Sequence, residues 1–254
     1  MERGIIGIVG GMGPEAGISL SGMIMRHTVA RSDQDHLPVA LFSIPGIIPD
    51  RTAYITGEIT ENPAGGILEV LSLMKRAGVT LAALACNSAH APVIFDAVES
   101  GLKNMAPEIR LINMIEEAGR FISRQYPGIS RAGILSTTGT WHTRLYDRLH
   151  SMGLQTVYTS PEEQQSLHQA IYHPGYGIKS NSGTIPERAM EIIEGAASSL
   201  KKSGAEILVL GCTEISLAVK EREYCGLPVA DSSVILARAL ISAHSPEKLR
   251  PGTQ

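Results

Sequence analysis

Short, wholly apolar runs alternate with longer amphipathic stretches along the whole of this chain. Residues 4–9 are apolar throughout and stop at Gly10-Gly11-Met12-Gly13-Pro14. That pattern predicts a parallel strand buried on both faces, a tight glycine turn, and a helix with proline near its first position. Similar runs predict strands over 37–43, 81–85, 111–114, 132–136, 155–158, 207–210 and 227–230. Between them, the pattern predicts helices over 15–30, 63–77, 90–103, 115–125, 143–152, 162–172, 186–203 and 234–243. Two Pro- or Gly-rich stretches, 45–54 and 173–183, read as loops, and the tail from Ser245 reads as frayed. Such alternation predicts an α/β fold with largely parallel sheets. Ligands in these sheets sit outside the carboxyl ends of the strands. Residues 10–13, Cys86, residues 137–140 and Cys212 all fall at those ends.

The pattern also repeats itself. Lys75-Arg76-Ala77-Gly78 precedes the strand that ends at Cys86, and Lys201-Lys202-Ser203-Gly204 precedes the strand that ends at Cys212. Cys212 stands 126 residues after Cys86, as Gly204 does after Gly78 and Gly133-Ile134-Leu135 does after Gly7-Ile8-Val9. This spacing implies an internal duplication, with one thiol at the equivalent strand end of each copy. Two thiols on opposite faces of a carbon can take a proton from one side and return one on the other, which is racemase chemistry.

Composition narrows the range of functions. A length of 254 residues suits one large domain or two of about 125. A net charge of −3 and 4% aromatic residues leave no basic, base-stacking face for nucleic acid. Cys86, Cys212 and Cys225 make no disulfide framework and suit a reducing cytoplasm. The first strand begins at once, so no signal peptide is expected. No apolar run reaches the ~20 residues of a membrane span. A cytoplasmic protein acting on a small molecule is expected, without nucleic-acid or membrane partners.

Each motif also has a plainer reading. Cys86-Asn87-Ser88-Ala89-His90 reads as a strand end opening a helix, whose N-terminus would favour thiolate over thiol. A buried structural cysteine is the alternative. Gly211-Cys212-Thr213-Glu214 repeats the arrangement, and the match at one repeat distance favours function. Cys86, His90 and Cys212 offer metal-ligand chemistry, but no CxxC spacing and no fourth ligand accompany them, so no metal is expected. Cys225, in a polar turn, reads as a bystander. Gly11-Met12-Gly13-Pro14-Glu15-Ala16 fits a dinucleotide fingerprint. The second strand lacks the terminal acid that fingerprint needs, and Pro14 removes an N–H from the turn. The turn reads better as bordering a substrate and donating N–H groups to a carboxylate. Arg51 and Lys179 are by default solvated loop charges. Both lie in loops able to fold over a cleft, and arginine offers a planar fork to a carboxylate.

Six segments together resemble the cofactor-independent aspartate/glutamate racemase family: residues 10–14, 48–54, 86–90, 114–117, 137–140 and 211–214. They span nearly the whole chain in order. The resemblance implies two pseudo-symmetric α/β domains, 1–116 with 228–254 and 117–227, and an active site in the cleft between them. It implies Cys86 and Cys212 as the proton carriers and Arg51 and Lys179 as holders of substrate carboxylates. Met12, Gly13, Asn87, Ser88, Ala89, Thr138, Thr213 and Glu214 would line the site. By the same resemblance Cys212 takes the proton from the L-isomer and Cys86 from the D-isomer. Glutamate racemases carry Asp-Ser in the first turn and His at position 214. Their absence points to the aspartate branch, with a dicarboxylic amino acid as substrate, no cofactor, and a homodimer expected. Open alternatives are a glutamate or broad-specificity racemase, another thiol-dependent isomerase or decarboxylase, a cysteine hydrolase, and a non-catalytic amino-acid-binding regulator.

Overall fold

The first apolar run forms β1 (Ile5–Gly10), and Pro14 opens α1 (Pro14–His27). A computed structural model describes residues 4–252. β2 (Val39–Ser43) is followed by a short helix, α2 (Arg51–Thr56), inside the stretch expected to be a loop. Asp50 explains it: its Oδ1 accepts the Ala53 N–H at 2.9 Å, a side-chain N-cap, and Gly57 closes the helix in the left-handed region. α3 (Ala64–Arg76), β3 (Val79–Leu84), α4 (Pro92–Met105) and β4 (Arg110–Ile112) complete the first half. The helix expected from residue 90 starts at Pro92. Ala91 precedes a proline and is held extended, so residues 88–90 form one isolated 3-10 turn between Cys86 and α4.

The second half begins with α5 (Met114–Gln125), β5 (Arg131–Ser136) and α6 (Thr138–His142). The helix expected over 143–152 is a 3-10 helix, Leu145–Met152, separated from α6 by Arg144 in the left-handed region. β6 (Gln155–Tyr158), α7 (Pro161–Tyr172), α8 (Glu187–Lys202), β7 (Ile207–Gly211) and α9 (Thr213–Ala218) follow. β8 (Glu223–Tyr224) and β9 (Leu227–Asp231) make a hairpin with Cys225-Gly226 as its two-residue turn, both at positive φ. α10 (Ser232–His244) carries the chain back.

Two compact units result, one running to Met114 and resuming at Ser233, the other covering Ile115–Ser232. The resemblance implies a return to the first domain at residue 228. In the structure β9 pairs with β7, so the strand belongs to the second sheet and the return falls at Ser233. The first sheet has the order β2-β1-β3-β4 and is wholly parallel. The second has the order β6-β5-β7-β9-β8, parallel but for β8. Discounting β8, the two orders are the same, and β5 lies 126 residues after β1 at both ends.

Strand alternation sets both faces of the first sheet. Val9, Ala82 and Leu84 pack with α3 and α4, while Ile6, Ile8, Leu81 and Ala83 pack with α1 and α10. In the second unit Leu135, Leu208 and Leu210 pack with α7 and α8. The tail expected to be frayed is held in place over its described part, residues 246–252: Val29 N–H donates to the Lys248 carbonyl, Arg250 N–H donates to the His27 carbonyl, and Lys248 pairs with Asp35; its last two residues lie outside the described residues. No described helix is long and apolar enough to cross a membrane.

Candidate functional site

In both sheets the chain reverses direction of winding between the central strand pair, β1/β3 and β5/β7. The crevice outside the carboxyl ends of such a pair is where open α/β sheets bind ligands. The glycine turn leaves β1 and Cys86 leaves β3, with the Ala85 N–H bonded to the Val9 carbonyl at 3.1 Å. The threonine turn leaves β5 and Cys212 leaves β7, with Ser136 paired to Gly211. Each thiol therefore occupies the switch point of its own sheet.

In the first unit Cys86 is buried, and its Sγ lies 3.4 Å from Ser88 Oγ. His90, fully buried, braces this segment. Its Nε2 accepts the Met114 N–H at 3.3 Å, which leaves the proton on Nδ1 to donate to the Cys86 carbonyl at 2.9 Å, and its ring stacks on Phe95. His90 therefore serves the backbone around the thiol. Arg51 is not the solvated loop charge of the default reading. It is 6% exposed at the first position of α2 and donates to the Met12 carbonyl at 2.6 Å and the Pro49 carbonyl at 3.0 Å. Two glycines allow this placement. Gly11, at φ +87, has the backbone of Ile44 and Pro45 where a Cβ would stand, and a Cβ on Gly66 would lie 2.0 Å from the Ile47 carbonyl oxygen. Together they clamp the segment leading to Asp50 and Arg51. Met12 and Ala89 are buried in the core cluster that also holds Cys86, so what they offer a ligand is backbone. Asn87 and Ser88 are buried, and Gly13 is the N-cap of α1.

The second unit gathers Lys179, Cys212, Thr213 and Glu214. Cys212 is the N-cap of α9, and Glu214 lies in that helix's first turn. Lys179, in a single 3-10 turn of the glycine-rich loop, donates to Glu214 Oε1 at 2.6 Å and lies 5.3 Å from the Tyr172 ring centroid. The Cys212 thiol donates to Glu214 Oε2 at 3.2 Å, and the Thr213 hydroxyl donates to the same oxygen at 3.1 Å. The electrostatics oppose the expectation that a helix N-terminus favours thiolate here. Burial, and then the Glu214 charge, push the Cys212 thiol well above its ordinary range, with Lys179 pulling the other way. Burial alone would raise Glu214 too, but Lys179 and the hydrogen bonds it receives hold it below the usual carboxylate value. Thr138 opens α6, half-buried, and Thr137 caps that helix.

Three further groups near these elements carry no signal in the sequence. Tyr146 is buried against Gly211 and bonded to Ser232, Asp231 accepts from Ser216 Oγ at 2.7 Å, and the buried Thr52 hydroxyl has no hydrogen-bond partner among the described residues. Only the Cys-x-Glu spacing at a strand end could have flagged the Glu214 contact. Among the described residues no three His, Cys, Asp or Glu side chains group as a metal site.

A sequence model described as Asp/Glu/hydantoin racemase matches residues 9–240. The chain is similar to the structure of aspartate racemase from Picrophilus torridus, with 27% identity, 95% of this chain and 94% of that one covered, and a TM-score of 0.78. It shares the fold of glutamate racemase from Francisella tularensis at 16% identity, with 100% of this chain and 86% of that one covered and a TM-score of 0.62. A glutamate racemase from Roseiflexus sp. (strain RS-1) is 28% identical over 146 residues, 57% of this chain. That match spans about half of the relative, 47% of its length.

Proposed function

We propose a reaction from one premise: the chain belongs to the Asp/Glu/hydantoin racemase family. It is an amino-acid racemase that interconverts L- and D-aspartate without a cofactor, using Cys86 and Cys212 as the two proton carriers. The observation that carries this reading is the matched pair of buried thiols, each at the switch point of a sheet with the same strand order. The α-proton of an amino acid is weakly acidic because its carboxylate resists enolisation. Charge building on that carboxylate must be met by fixed donors in a water-poor site. Backbone N–H groups of the Met12-Gly13 turn and of residues 87–89, with the hydroxyls of Ser88 and Thr138, supply them, and Thr213 lines the site. Arg51 and Lys179 hold the carboxylates. The likeness to an aspartate racemase at 27% identity, and Glu214 in place of the histidine of the glutamate branch, support aspartate over glutamate.

The test is incubation of each L-amino acid in D2O, with NMR detection of deuterium at Cα. Aspartate should exchange and lose its optical rotation. Cys86→Ser and Cys212→Ser should each abolish racemisation, because a hydroxyl near neutral pH is a far poorer base, while leaving exchange on one enantiomer only. Full racemisation by either single variant would sink the two-thiol mechanism. Absence of any Cα exchange would leave a protein that only binds amino acids.

A further inference from the structure

The Glu214 carboxylate is divided between two kinds of partner. Oε1 takes the Lys179 ammonium, and Oε2 takes the Cys212 thiol and the Thr213 hydroxyl. An ionised carboxylate accepts and cannot donate, so the sulfur in this contact must carry the proton. Cys86 has a different neighbour. The Ser88 hydroxyl can donate to a thiolate as readily as it accepts from a thiol. We propose that Glu214 fixes the resting proton of the pair on Cys212, so that Cys212 starts as the acid and Cys86 as the base; this rests on the catalytic roles proposed above.

The surroundings agree with the hydrogen bonds. Sulfur and carboxylate are 3% and 5% exposed by residue, so water screens little of the interaction. The charged and titratable groups around Cys212 come from several elements. Glu214 is on α9, Lys179 on the glycine-rich loop and Tyr146 on the 145–152 helix, with Asp231 at the end of β9 facing Tyr146 and reached from the Cys212 carbonyl through the Ser216 hydroxyl. Burial keeps the Tyr146 phenol protonated far above its ordinary range. Lys179 is the cation of this group, and one of its three donors goes to Glu214 Oε1.

The proton accounting follows. Cys86 thiolate takes the Cα proton, and the C–H electron pair is delocalised into the α-carboxylate. Cys212 S–H then gives its proton to the opposite face of Cα, leaving Cys86 as thiol and Cys212 as thiolate. Cys212 thiolate and Glu214 carboxylate now share one Lys179, so this state is uphill. It resets when Cys212 takes a proton from water and Cys86 releases one. The direction that needs Cys212 as base thus starts from the minor proton state, and its rate rises with pH.

The test uses Cys86→Ser/Cys225→Ser, which leaves Cys212 as the sole thiol, and follows thiolate formation by ultraviolet absorbance against pH. The Cys212 midpoint should lie above that of free cysteine, and adding Glu214→Gln should lower it by about one pH unit or more. A midpoint at or below free cysteine, or one unmoved by Glu214→Gln, overturns the proposal. The first comparison stands even if Glu214→Gln fails to fold. With both catalytic cysteines present, Glu214→Gln should move to lower pH both the rise in rate of the Cys212-base direction and the fall in rate of the Cys86-base direction, which needs Cys212 protonated. Limbs that stay in place in both directions also overturn it. The titration needs no turnover. Lack of racemisation with the expected midpoints would remove the proposed function and leave this assignment standing.

Discussion

Arg51 carries two loads. It ties α2 to the glycine turn through the Met12 carbonyl, and in the proposed reaction it offers the rest of its fork to a substrate carboxylate. A lysine ammonium is a point donor and cannot reproduce that fork. Losing one hydrogen bond to a charged group costs ~1.5–3 kcal/mol, so Arg51→Lys should lower kcat/KM for aspartate about ten- to a hundredfold. Steady-state kinetics beside thermal melting separates the two loads. A fall in Tm with unchanged kcat/KM would make Arg51 a strut only. The residue type and the fork it offers were readable in the sequence; its place at the start of a helix was not. Its burial was not, because that depends on Gly11 and Gly66 bringing backbone within contact distance of the 44–48 segment.

At the scale of elements, the largest departures from pattern lie beside the site, where local capping and steric rules override hydrophobic period. α2 is six residues long and has too little apolar periodicity to announce itself; the Asp50 cap makes it. Asp50→Ala should cost about 1 kcal/mol of stability and lower Tm by about 2–4 °C. Because Arg51 is the next residue, kcat/KM for aspartate should fall further than the stability loss explains. Calorimetry and kinetics on one preparation check this, and unchanged kcat/KM would detach the cap from the site. The two cysteines looked alike in sequence, each a strand end before a helix. The structure separates them. Pro92 forces Ala91 to be extended and limits the Cys86 side to a single 3-10 turn, while Cys212 caps a true helix with a carboxylate in its first turn. The expectation of a thiolate-favouring helix end at both positions therefore met Ala91-Pro92 at one and Glu214 at the other.

For the molecule as a whole, the proposed chemistry needs only groups the chain itself supplies. Activity should survive dialysis against a chelator, and the purified protein should show no pyridoxal absorbance. Loss of activity restored by zinc would replace the thiol-only mechanism with a metal-assisted one. By itself the sequence determined the α/β class, the parallel sheets, the duplication and the paired thiols at strand ends. These follow from one-dimensional signals, apolar runs that fit buried strands and a repeat distance that holds from β1 to Cys212. Only the tertiary structure decided that β9 completes the second sheet, that the tail from Ser245 is bound to the end of α1, and that Glu214 joins Lys179 to Cys212. A short strand can pair in any sheet whose edge it reaches, and a charge takes whichever partner packing brings to it. Both outcomes depend on distances between residues far apart in the chain, which hydrophobic spacing does not encode.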